Sequence, residues 1–269
     1  MRPTFTRAAA SAALFALVAG AVPAAANPTI VIDAASGDTL VQQEATRPWY
    51  PASLTKLMTA FVALKAVREG RITLDTPLKV SARATSMAPS KMGFRPGTLV
   101  TLDNALKMLM VKSANDIAVT IAEGVSGSVE AFANEMNASA SALGMRESHF
   151  TNPNGLPDSR QVSSARDMAI LGRALYVYFP EQAGLFDIGA LRLGKRILPT
   201  HNGMLGRYPG ADGMKTGFTC AAGFNLVASA TQNGRRLIAV VLGAPNPILR
   251  TAKTAALLDR GFQSGTAVI

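Results

Sequence analysis

Apolar residues along this chain follow two different spacings, and the segments where each prevails lie in different parts of it. Leu57, Met58, Phe61, Val62 and Leu64 fall three and four apart and predict a largely buried helix from about Leu54 to Arg68. Val129, Phe132, Met136, Ala140 and Leu143 do the same within Ser128 to Leu143, as one core-facing side of a helix. Helices are also read from about Leu102 to Met110, Asn115 to Glu123, Asp167 to Tyr178 and Pro247 to Phe262. Toward the two ends the pattern shortens to β-rich runs. Thr29 to Asp33 and Thr39 to Gln43 flank the turn cluster Ala35-Ser36-Gly37-Asp38, and Asn225 to Thr231 and Arg236 to Leu242 flank Asn233-Gly234. Both read as hairpins, the second strongly, because an Asn-Gly pair suits the left-handed residues of a two-residue turn.

Between these elements, the passage containing Asp75-Thr76-Pro77 and Arg95-Pro96-Gly97 reads as loop, and Thr151 to Asp158 is dense enough in turn formers to be a rigid one. There is no internal repeat or low-complexity linker. Strands at the ends and helices in the middle predict an α+β fold in which terminal helices cover an antiparallel sheet.

Composition adds the compartment. Arg2 and Arg7 precede an apolar run from about Ala8 to Val22, and Ala24-Ala25-Ala26 supplies an A-x-A cleavage site before Asn27. Residues 1–26 therefore read as a secretory signal peptide, since the run falls short of the roughly 20 apolar residues of a spanning helix. This leaves 27–269 as the mature chain, periplasmic or secreted, enough for one large domain or a domain with a small subdomain. The formal charge of +10 favours anionic surroundings such as a cell-wall polymer or, by peripheral contact, membrane headgroups. Nucleic acid is disfavoured: the basic residues are scattered, aromatics make up 6%, and the leader routes the chain away from it. The lone Cys220 has no internal disulfide partner and reads as a small buried residue rather than a free thiol near a site.

Candidate chemistry centres on Pro51-Ala52-Ser53-Leu54-Thr55-Lys56, where a hydroxyl and an amine sit three residues apart at a helix start. That spacing stacks them on one side of the first turn. Serine needs a neighbour to take its proton, and lysine can do so only if burial or a second cation brings its pKa well below the reference of roughly 10.4. Taken alone, the string also fits a serine cap followed by a surface lysine. There is no G-x-S-x-G elbow, and two histidines, His149 and His201, are too few to suggest a Ser-His-Asp set or a metal site; both read as structural. No metal or cofactor is expected.

Two later segments change the weight of the first. Ser53-Leu54-Thr55-Lys56 is followed by Ser113-Ala114-Asn115 and by Lys215-Thr216-Gly217, and this ordered set resembles the S-x-x-K, S-x-N and K-T-G motifs of the penicillin-binding proteins and serine β-lactamases. Asn152-Pro153-Asn154-Gly155-Leu156-Pro157-Asp158 and Gly210-Ala211-Asp212-Gly213-Met214 narrow the resemblance to the D-alanyl-D-alanine carboxypeptidases, the low-molecular-mass penicillin-binding proteins, from about Asn27 to Phe262.

The resemblance implies the fold of that family, an antiparallel sheet flanked by terminal helices plus a mostly helical subdomain, here as one catalytic domain over 27–269 with no separate C-terminal β-domain. It implies Ser53 as nucleophile, Lys56 as general base and Ser113 as proton relay, with peptidoglycan stem peptides as substrate and β-lactam antibiotics as covalent inhibitors. Asn115, Lys215, Thr216, Gly217, Phe218 and Arg250 would hold the substrate: Asn115 by its amide, Lys215 from an edge strand, Gly217 by letting the substrate backbone approach, Phe218 by its backbone N–H, Arg250 by its guanidinium on the substrate carboxylate. Ser113 and Asn115 also fit a helix cap, and Arg250 a solvated helix face. Two other readings stand beside the carboxypeptidase. A serine β-lactamase is disfavoured by the absence of a Glu-x-x-Leu-Asn string between the second and third motifs; a catalytically silent wall-binding scaffold is disfavoured by three intact motifs.

Overall fold

The computed structural model describes residues 27–264, so the expected signal peptide at 1–26 lies outside the described residues. Strands β1 (Thr29–Asp33) and β2 (Thr39–Gln43) form the first hairpin, with residues matching the sequence expectation. A 3-10 turn over Ala52–Leu54 leads into α1 (Thr55–Arg68), and β3 (Pro77–Lys79), α2 (Ala82–Thr85) and β4 (Leu99–Thr101) follow. Helices α3 (Leu102–Val111), α4 (Asn115–Ser126), α5 (Val129–Ala142) and α6 (Ala165–Tyr178) make up the middle. The last third holds a 3-10 segment at Pro180–Phe186, the small hairpin β5 (Ala190–Leu193) and β6 (Arg196–Pro199), the long strands β7 (Ala211–Thr219), β8 (Gly223–Gln232) and β9 (Arg235–Ala244), and helix α7 (Pro247–Gln263).

The main sheet has the order β2-β1-β9-β8-β7, antiparallel throughout, so the first hairpin of the chain pairs with its last strand and β7 is left at an edge. The β8–β9 connection is the expected Asn233-Gly234 turn, both residues at positive φ. Strands β8 and β9 carry unbroken buried runs because both faces of the sheet are covered. On one face α7 brings Leu258 against Val31, Leu226, Leu237 and Ala239. On the other, α6 approaches so closely at Gly172 that a Cβ there would lie 3.3 Å from both Met214 and Val227 side chains.

Helix α1 is buried nearly all round, from Thr55 through Leu64, among α3, α4, α5 and α6. A helix enclosed in this way drags any polar residue on it out of water, which is what happens to Lys56.

Two passages carry more structure than the sequence suggested. The stretch read as loop between α1 and α3 contains the β3–β4 ladder and α2, and 180–199 folds into a 3-10 segment and a hairpin. Strands of three or four residues are too short to display a period of two. Helix ends sit where side-chain caps fix them: Ser128, Ser164 and Asn246 each accept from the backbone N–H three residues on.

Candidate active site

Ser53 occupies the middle of the 3-10 turn before α1, and Lys56 the first turn of α1. Neither fits the bland alternative: the N-cap of α1 is Leu54, with no side-chain cap, and Lys56 is fully buried. Lys56 Nζ lies 3.1 Å from Ser53 Oγ and 2.7 Å from Asn115 Oδ1, and it donates to the carbonyl of Asn154. Among the described residues no carboxylate is bonded to it. Asp116, whose charge reaches it, is committed to the backbone N–H groups of Met92 at 3.0 Å and Gly93 at 2.9 Å. Burial first, and the charge of Lys215 second, hold the Lys56 amine well below its ordinary pKa, against a smaller opposing pull from Asp116.

Ser113 takes positive φ immediately before α4, whose cap is Ala114, so it does not cap the helix. Its hydroxyl instead accepts from Lys215 Nζ at 2.9 Å. Asn115 also serves the site rather than the helix end: its Oδ1 accepts from Lys56, and its Nδ2 donates to Ala88 O at 2.9 Å.

Lys215 is 2% exposed on edge strand β7, and Nζ also donates to Thr216 O at 2.9 Å. Burial, then the neighbouring Arg250 charge, lowers it to about 7. Arg250 lies in the first turn of α7 and is 5% exposed, not on a solvated face. It makes one long hydrogen bond to His201 O, 3.4 Å, and its Nε has no partner, while burial lowers it to about 10. Two buried cations with no acid between them form a pocket in want of an anion, because an unpaired buried guanidinium N–H is costly.

These groups line one cleft of about 590 Å³. Ser53, Ser113, Asn115, Thr216, Gly217, Phe218 and Arg250 all reach it, while Lys56 and Lys215 stand behind its wall. Gly217 is required for a reason the sequence did not suggest. A Cβ there would meet Ser53 N at 3.1 Å and Pro51 O at 3.0 Å, so the glycine lets β7 lie against the Ser53 turn itself. Gly155 does the same from the opposite wall: at φ +82 its Cβ would fall 2.0 Å from Ala52 O. The Phe218 ring is half exposed and stacks on Phe224, with centroids 4.2 Å apart.

Cys220 corrects one expectation. It is exposed and lines the cleft rim, because it falls in the short connection between β7 and β8, where no second layer covers a side chain. His149 is exposed on a backbone bridge to Val162, away from the cleft, but His201 lines it. Burial and the charges of Lys215, Lys112 and Arg250 lower the pKa of His201.

Three positioning residues escaped the sequence reading. Asn154 gives Lys56 its backbone carbonyl, an acceptor any residue type could supply. Asn225, fully buried in β8, donates to Tyr50 O at 2.9 Å and Pro51 O at 3.2 Å and so ties the segment before Ser53 to the sheet. Thr59 fixes α1 to the Asn154 loop through Pro153 O at 2.6 Å.

Comparison with known proteins agrees with this geometry. The D-alanyl-D-alanine carboxypeptidase DacF of Bacillus subtilis is 36% identical over 241 residues, covering 88% of this chain and 62% of that protein, so the chain spans about three fifths of such a relative. Penicillin binding protein 5 of Haemophilus influenzae superposes with a TM-score of 0.85 at 36% identity, covering 89% of this chain and 71% of that one. A penicillin-binding protein of Listeria monocytogenes, solved in its cefotaxime-bound form, superposes at 0.80 with 31% identity, covering 88% of this chain and 97% of that one. Residues 16–246 match the D-alanyl-D-alanine carboxypeptidase family of peptidases, and with relatives at this identity on the same fold, the chain belongs to that family.

Proposed function

We propose that the chain is an exported serine D,D-carboxypeptidase that removes the terminal D-alanine from peptidoglycan pentapeptide stems through an acyl-enzyme on Ser53, and that penicillins trap it at the same step. The observation that carries this reading is a fully buried amine, Lys56, 3.1 Å from the Ser53 hydroxyl, with no acid bonded to it among the described residues. A neutral Lys56 has two N–H groups and one lone pair. The two acceptors around it, Asn115 Oδ1 and Asn154 O, use both N–H groups, and the lone pair is left for the Ser53 proton.

In the forward direction Ser53 Oγ attacks the carbonyl between the two D-alanines while Lys56 takes its proton. Negative charge develops on the carbonyl oxygen and meets the backbone N–H groups of Ser53 and Phe218, the latter on the same strand edge as Thr216, two residues away. The leaving nitrogen needs a proton, and the Lys215–Ser113 pair offers a relay to it. The peptide C–N bond breaks, D-alanine departs, and water later cleaves the ester and releases the shortened stem. The substrate carboxylate is the anion that Lys215 and Arg250 lack, with Thr216 hydroxyl beside them. No carboxylate lines the cleft among the described residues, so the glutamate-assisted deacylation of a class A β-lactamase has no counterpart here.

The test is incubation of the purified chain with a pentapeptide muropeptide, which should lose the mass of one alanine. Labelled penicillin should remain bound to the wild type, and Ser53→Ala should abolish labelling and D-alanine release together. Rapid turnover of the penicillin would make it a β-lactamase, and indifference to both ligands a silent scaffold.

A further inference from the structure

The two walls of the cleft differ in kind. On one side stand Ser90, Ser113 and Asn115, joined by the hydrogen bond from Asn115 N to Ser90 O at 2.7 Å. On the other, beyond Thr216 and Gly217, stand Phe218, Phe224 and Pro247. Phe218 lies directly opposite Phe224 in the β7–β8 ladder, which brings their rings into the stack. Phe224 is half-buried, whereas the Phe218 ring keeps half of its surface open to the cleft rim. The mechanism above uses only the backbone N–H of Phe218, so the ring has no part in it. An aromatic ledge of this kind gains by being covered with hydrocarbon.

The reaction proposed above, on which this step rests, says which part of a ligand meets the ledge. The last residue of the substrate, the one released, carries three heavy-atom groups on its Cα. Its carboxylate is drawn to Lys215, Thr216 and Arg250, and its nitrogen takes a proton from the Ser113 side, where Lys215 and Ser113 form the relay. Bonds to a tetrahedral carbon point apart, so the side chain follows neither group. The wall left to it is the β7 rim, where Phe218, Phe224 and Pro247 stand.

The ledge also says what that side chain is. The methyl of alanine covers little of a ring pair. A longer chain ending in a cation is repelled, because the charges of Lys215, Lys112 and Arg250 all reach His201 at this end of the cleft and no carboxylate lines it among the described residues. We propose that the Phe218 side chain, stacked on Phe224 beside Pro247, is a specificity determinant for the released residue, and that the cleft accepts stems ending in a D-residue whose side chain is apolar and longer than that of alanine. The bond broken is the same, and the free D-residue departs in place of D-alanine with its nitrogen protonated through the same relay.

The experiment compares diacetyl-L-Lys-D-Ala-D-X peptides in which X is alanine, norleucine or lysine. The readouts are kcat/KM for release of X by the wild type and Kd for the Ser53→Ala protein, which needs no turnover. Norleucine carries methylenes that alanine lacks; half covered by the ledge, they should raise kcat/KM and tighten Kd by about tenfold. Lysine, an aliphatic stem ending in an ammonium, should fall back to the alanine level or below. Phe218→Ser keeps the backbone N–H and should cut the norleucine-to-alanine ratio to about twofold; Phe224→Ala, which removes the support under the ring, should leave a ratio of about fourfold. A general loss of activity acts on both peptides alike and does not move this ratio.

A norleucine peptide no better than alanine in either readout, with D-alanine released, overturns the ledge and leaves the reaction standing. A ratio that survives in Phe218→Ser does the same, since it puts the side chain on the Ser90 wall, and lysine matching norleucine overturns the apolar requirement. A norleucine preference in the Ser53→Ala binding series, with nothing released by the wild type, overturns the reaction and leaves the ledge standing. Failure of every peptide to bind overturns both.

Discussion

The start and the middle of β7 hold charge in opposite ways. At its start, Asp212 receives Arg236 at 2.9 Å, Ser229 at 2.6 Å and Thr231 at 2.7 Å, and Arg236 lies 4.1 Å over the ring of Tyr176, whose hydroxyl also bonds Ser229. Three residues on, Lys215 faces only a hydroxyl and a carbonyl, with Arg250 as its charged neighbour and Lys56 behind. The first cluster is closed: a cation meets an acid, and the acid's remaining acceptor capacity meets hydroxyls. The second is open: burial lowers each cation, and the charge of Arg250 adds to the lowering of Lys215 as that of Lys215 does for Lys56. Paired burial holds a structure in place; unpaired burial stores reactivity that a ligand can release.

The sharpest way to break this comparison is to remove the amine of Lys56. In Lys56→Met we expect penicillin acylation to fall by about 10²–10⁴-fold, the usual worth of a general base. The fold should hold or gain stability, because an apolar chain of similar size replaces a buried amine. A lowered Tm beside retained acylation would mean that Lys56 belongs with the closed cluster.

Lys215→Met should act next most strongly, through capture. The loss of one charge-assisted contact in a buried site predicts about a hundredfold fall in kcat/KM for peptide. The pH profile gives a second readout with a definite sign. Lys215 is lowered to about 7, so its ammonium is lost as pH rises through that value, and wild-type kcat/KM should fall on the alkaline side. In the proposed mechanism Lys56 must be neutral, so the acidic limb should report its proton. Removing the Lys215 charge takes away the second cause of the depressed Lys56 pKa, so the acidic limb should move to higher pH while the alkaline limb disappears. A profile in Lys215→Met that keeps both limbs in place would uncouple the two lysines.

How far the sequence foretold these clusters follows from what each depends on. The Ser53–Lys56 pairing was legible because helix geometry alone brings positions three apart together, and the burial of α1 followed from its apolar spacing. The β8–β9 hairpin was legible from Asn233-Gly234, whose backbone must be left-handed whatever surrounds it. The α6 start was read at Asp167 and lies at Ala165, where the Ser164 hydroxyl caps the helix. Beyond such local chemistry the signal fades. The Asn154 carbonyl is a backbone group without residue signature, Asn225 acts across 175 positions, and the position of His201 on the cleft depends on how the 200–203 turn packs beside α7. The Asp212 cluster went unread as a cluster for the same reason: its partners come from two other strands and a helix.

That cluster supplies the smallest effect, and the one of opposite kind. Arg236→Met removes hydrogen bonds to Asp212 Oδ2 of 3.1 and 2.9 Å, one to Thr231 Oγ1 of 3.2 Å, and the stacking over Tyr176. Ser229 and Thr231 remain to answer the carboxylate, and both partners of the ion pair keep some contact with water, so the cost is well below that of a fully buried pair: about 1–2 kcal/mol of stability. None of its residues lines the cleft, so kcat/KM should stay within about twofold, the spread of a change away from the chemistry. Thermal melts and peptide turnover on the same preparation check it. A Tm that falls with turnover unchanged, against turnover that falls with Tm unchanged in Lys215→Met, would separate the start and the middle of one strand by function; a joint fall in either variant would show β7 transmitting strain from one cluster to the other.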